Sequence, residues 1–97
     1  MALYVHLFKL TQEGIENIKD APDRAEKGIN AVEEMGGKVL CLYSTMGAYD
    51  YVGVTEWPDD QAAAAFLLAW GATGVVRSTT LKAFTMEEYK GIIAKIP

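Results

Sequence analysis

The chain has 97 residues, 51% of them apolar and 23% charged, which suits one globular domain and excludes a disordered chain. Its formal net charge of −4, with the lysines and arginines scattered, argues against a nucleic-acid-binding surface, which needs a basic stripe. The lone Cys41 rules out an intramolecular disulfide and points to the cytoplasm.

No leader pattern precedes the first strand, and the longest uncharged run, Gln61–Val76, is shorter than the ~20 residues that span a bilayer. No membrane association is expected. Ala2–Leu10 reads as a strand with Tyr4, His6 and Phe8 on one face and Val5, Leu7 and Lys9 on the other. Thr11 is a helix N-cap. A short helix is predicted near Gln12–Ile18, then a main helix from about Pro22 to Met35 with an Ala25, Ile29, Val32 stripe. Gly36-Gly37 ends it.

Lys38–Tyr43 and Tyr51–Trp57 read as two strands of a hairpin joined through Ser44–Asp50, where Gly47 permits positive φ and Asp50 can bond nearby amides. Pro58-Asp59-Asp60 opens a second helix over Gln61–Trp70. Val75–Phe84 is a polar strand suited to a sheet edge. Thr85-Met86-Glu87-Glu88 is a capping box for a last helix, which Ile92, Ile93 and Ile96 are expected to dock. The order predicts an α+β, ferredoxin-like βαββαβ sandwich with a C-terminal helix, residues 1–97 forming one domain.

Helices in this arrangement cover one sheet face. Aliphatic residues usually pack beneath helices, so Val5, Leu7, Val52 and Val54 are expected there. The His6–Gly53 row is then expected on the open face, with a pocket between those two residues. Tyr4, Phe8 and Tyr51 would sit at the contact of a homodimer.

The corner Gly47-Ala48-Tyr49-Asp50, with Thr11-Gln12-Glu13-Gly14-Ile15, Pro58-Asp59-Asp60 and Thr80-Leu81-Lys82-Ala83-Phe84 in the same order, resembles the GYD domain family over nearly the whole chain. The resemblance implies the dimeric α/β-barrel superfamily, which includes small monooxygenases, isomerases, haem-degrading enzymes and proteins with no known reaction. It carries over no catalytic residues. His6 departs from the aliphatic residue expected at its place.

Candidate chemistry is sparse, and whether the chain is an enzyme stays open. His6, the only histidine, could be a general base or a packed side chain; alone it cannot make the usual zinc site, and no metal site is read. Asp50 could orient a substrate or cap its turn. Tyr43, Tyr49, Asp50, Tyr51, Gly53 and Arg77 complete a candidate ligand site around His6: aromatic walls, a gap at Gly53 and a cation for a carboxylate. No cofactor is predicted; haem bound by His6 is the alternative. The expectation is a protein binding or transforming a small aromatic or carbonyl-bearing molecule in a sheet-face cavity without a tightly bound metal. The competing reading is a non-catalytic assembly module whose sheet face serves only dimerisation.

Overall fold

The computed structural model describes residues 1–97. The elements run β1 (Ala2–Leu10), α1 (Gln12–Glu16), a 3-10 turn (Ile18–Asp20), α2 (Ala21–Glu34), β2 (Lys38–Ser44), β3 (Tyr51–Trp57), α3 (Asp60–Gly71), β4 (Val76–Ala83) and α4 (Met86–Ile93). The strands form one antiparallel sheet in the order β2-β3-β1-β4, the ferredoxin-like arrangement, with β4 at an edge. Thr11 caps α1 by accepting from Gly14 N, and Asp59 caps α3 by accepting from Ala62 N. The first helix stops earlier than its pattern suggested, because the stretch before Pro22 tightens into the 3-10 turn.

The register sets which side chains share a face. His6 lies opposite Gly53 on one side and Thr80 on the other, so Tyr4, His6 and Phe8 align with Thr55, Gly53 and Tyr51. A bulge in β2 between Val39 and Cys41 absorbs Leu40 and brings Val39 and Leu42 opposite Thr55 and Gly53.

This row faces the helices, the reverse of the expected assignment. Tyr4, Val32, Trp57, Ala63 and Phe66 form the core, and His6 is only 1% exposed. Partnering and packing explain the choice. Both His6 ring nitrogens meet threonine hydroxyls in this row, and above it the ring of Trp70 on α3 lies so close to Gly28 on α2 that an added Cβ would come within 2.8 Å of it. Large sheet side chains fill the space beneath these helices. The aliphatic row of Val5, Leu7, Val52 and Val54 is the uncovered one, and none of these is fully buried. Tyr4, Phe8 and Tyr51 therefore do not stand on the open face and cannot form a contact there.

The last helix also differs from expectation. Its capping box is formed, with Glu88 N donating to Thr85 Oγ1 and Thr85 N donating to Glu88 Oε1. Yet none of its residues is buried, and Ile92, Ile93 and Ile96, expected to dock it, are 37%, 45% and 64% exposed. It extends as an arm, and the molecule measures 52 Å along its longest axis against 18 Å along its shortest.

Candidate functional site

Between the sheet and α2 lies a cavity of about 80 Å³. Its floor is the sheet row containing His6, Tyr51, Gly53 and Thr55, and its roof includes Ala25, Gly28 and Ile29 of α2 with Phe66 and Trp70 of α3. The Ala25, Ile29, Val32 stripe read from the sequence is what aims α2 at this space. At Gly53 an added Cβ would meet Leu42 Cδ1 at 3.3 Å and the Cys41 carbonyl oxygen at 3.4 Å, so glycine there relieves crowding with β2.

His6 is held from both sides. Its Nε2 is 2.6 Å from Thr55 Oγ1 and its Nδ1 is 2.8 Å from Thr80 Oγ1, while Trp57 Nε1 donates to Thr55 Oγ1 at 2.8 Å. A threonine hydroxyl carries one proton. Having accepted from Trp57, Thr55 satisfies that proton by donating to His6 Nε2. The ring proton then sits on Nδ1 and goes to Thr80. This chain runs in one direction and uses a neutral imidazole. Protonating His6 would make both ring nitrogens donors and leave the Thr55 proton without its acceptor. Burial pushes the His6 pKa down to about 4, in the same direction. The ring also stacks between Tyr4 and Phe8, with centroid distances of 6.5 and 5.5 Å.

At one end of the row the Tyr4 hydroxyl donates to Asp60, which also pairs with Lys82 at 2.8 Å. Burial first, then the Asp60 carboxylate, holds the Tyr4 phenol up at about 12, while the bonds from Lys82 and Tyr4 lower Asp60. Arg24, at the cavity rim, donates to the carbonyls of Asn17 at 2.8 Å and Gly14 at 3.2 Å, tying α2 to the end of α1.

The remaining residues of the predicted ligand site lie elsewhere. Tyr43 pairs with Val52 on the opposite face and is 64% exposed. Arg77 is exposed on the edge strand, in a groove with Leu67, Leu68 and Trp70. Tyr49 and Asp50 belong to the hairpin corner. There Asp50 N donates to Phe8 O at 2.8 Å, and Asp50 Oδ2 accepts from Leu10 N at 2.8 Å. The Asp50 carbonyl turns back into the hairpin to accept from Thr45 N at 2.9 Å. Thr45 Oγ1 donates to the Tyr49 carbonyl at 2.7 Å, and Gly47 turns the chain at φ +110°. The carboxylate thus replaces a strand carbonyl and fastens the corner to the end of β1.

Sequence reasoning brought His6, Tyr51 and Gly53 together but missed Thr80, whose place beside His6 depends on the β1–β4 register. Thr55 was visible as the next same-face residue after Gly53.

The sequence profile of the GYD domain family matches residues 4–93. The chain belongs to the GYD domain family. A protein of Thermus thermophilus named "Glutamine synthetase and cystathionine beta-lyase binding protein" is 29% identical over 89 residues, covering 91% of this chain and 94% of that protein. No solved structure matches the chain. No helix is long and apolar enough to cross a membrane.

Two predictions follow from this geometry. Between pH 6.5 and about 4 the unfolded chain takes up a proton that folded His6 refuses. The stabilisation is therefore complete above pH 6.5 and lost as pH falls towards 4, in total roughly 3–4 kcal/mol at ~1.4 kcal/mol per pKa unit. Urea midpoints should fall less between pH 7 and 4.5 in His6→Gln than in the wild type; equal falls would refute the neutral, buried histidine. Asp50→Ala should cost about 1–3 kcal/mol by stranding the Leu10 amide, whereas Asp50→Asn, which keeps an acceptor, should cost less. Urea melts in which the alanine variant matches the wild type would show that Asp50 does not hold the corner.

Proposed function

We propose that this GYD domain is a small protein-binding module that acts as a homodimer through its open sheet face. One observation carries the reading: Val5, Leu7, Val52 and Val54 form an aliphatic row that no element of the chain covers, with Leu81 beside it 52% exposed. Contiguous apolar surface of this kind marks an interaction site. A domain of this size buries a modest share of its surface alone, so association supplements its stability. The name of the similar Thermus thermophilus protein supports protein partners, and glutamine synthetase and cystathionine β-lyase are the first candidates.

A second reading keeps the interior cavity as a ligand site, supported by His6, Tyr51 and Gly53 on its wall. Its volume of about 80 Å³ suits a molecule of a few heavy atoms, well below the ~300–1,000 Å³ of drug-sized pockets. The protein-binding reading therefore stands first.

Light scattering at micromolar concentration should give twice the 10.6 kDa chain mass. Interferometry with the immobilised chain should detect purified glutamine synthetase or cystathionine β-lyase with Kd tighter than ~10 μM, about −7 kcal/mol. A monodisperse monomer that binds neither enzyme would overturn the proposal.

A further inference from the structure

We infer that α4 is an exchanged arm: in the dimer, each arm lies on the open sheet face of the second copy. The inference rests on the homodimer reading above and adds to it the segment that covers the face.

The arm is built as a docking helix. Tyr89, Ile92, Ile93 and Ile96 fall at i, i+3, i+4 and i+7, an apolar stripe along one side. The helix is capped at Ala94, whose N donates to Lys90 O, and a turn follows in which Ile96 N donates to Ile93 O, each at 3.0 Å. With Phe84 and Met86 these side chains are 37–71% exposed. A helix of eight residues is too short to hold itself in water, since isolated helices below ~12–15 residues are marginal even with good formers. The capping box fixes its first turn, and the rest of its stability has to come from packing against another surface.

A second copy of this chain supplies that surface. The open face is aliphatic, and the arm leaves the sheet from Ala83, which pairs with Leu3 at the end of β1. A two-fold axis across the strands at that end would place each arm over the other copy's open face. The contact is then made twice and closes, as an isologous dimer requires. The area is adequate: Phe84 and Tyr89 are aromatic side chains of about 150–250 Å² each, roughly half exposed, and the exposed parts of Met86 and the three isoleucines add to them. Exchanging two arms approaches the ~800 Å² per partner of a stable interface before any contact between the bodies is counted.

Two single substitutions at exposed positions test it: Ile93→Asp on the arm and Leu81→Lys on the open face, 45% and 52% exposed. Circular dichroism should show both variants folded, and Ile96→Asp provides an independent arm lesion. By analytical ultracentrifugation each variant alone should have a dimer dissociation constant raised at least tenfold. Mixing Ile93→Asp with Leu81→Lys should restore a dimer, because one arm–face contact is then wild-type and the other pairs Asp with Lys. A wild-type dimer unaffected by both arm substitutions would overturn arm exchange while leaving the homodimer intact. Loss of dimer in both single variants without rescue on mixing, or an unaffected Leu81→Lys dimer, would overturn the open face as the arm's seat. A monomeric wild type would remove the homodimer reading and the arm exchange together.

Discussion

Trp57, Thr55, His6 and Thr80 pass hydrogen bonds along and across neighbouring strands, and this chain lets a polar aromatic row lie under the helices. A buried imidazole without partners would be costly, but here each ring nitrogen meets a hydroxyl. No buried side-chain nitrogen or oxygen in the molecule lacks a partner. Once this row is satisfied internally, the aromatic side chains can fill the space above the sheet. The small residues of α2 and α3 make that packing close.

Burial of this row has a direct consequence on the other side of the sheet. Strand side chains alternate, so covering Tyr4, His6 and Phe8 leaves Val5 and Leu7 uncovered. A row that could have formed a core becomes a surface. The arm sharpens the imbalance, because it carries a second apolar stripe out of the domain instead of closing over the first. Both features direct attention to association, whereas the interior cavity is small.

The motif that names the family is, in this chain, a fastening. Gly47 makes the turn, and the Asp50 carboxylate takes the Leu10 amide where the ladder between β1 and β3 runs out. Asp50 is not on the cavity wall, but it holds the backbone of Phe8 and Leu10, whose side chains are. A sequence signature can thus mark the geometry of a corner without marking a reaction.

Period-2 alternation, the Pro22 interruption and the capping residues made the element order legible, and with it the ferredoxin-like topology. These are local properties, set by backbone stereochemistry and by hydrogen bonds within a few residues. The family was legible too, from short motifs kept in order along the chain. Which sheet face the helices cover was not, because both rows of β1 are apolar and alternation has no sign. The partnering of His6 by Thr55 and by Thr80, the latter more than seventy residues away, settled it in three dimensions. The fate of α4 was likewise hidden. An amphipathic stripe shows that a helix has something to bury, and only the tertiary structure shows that its own chain does not provide the place.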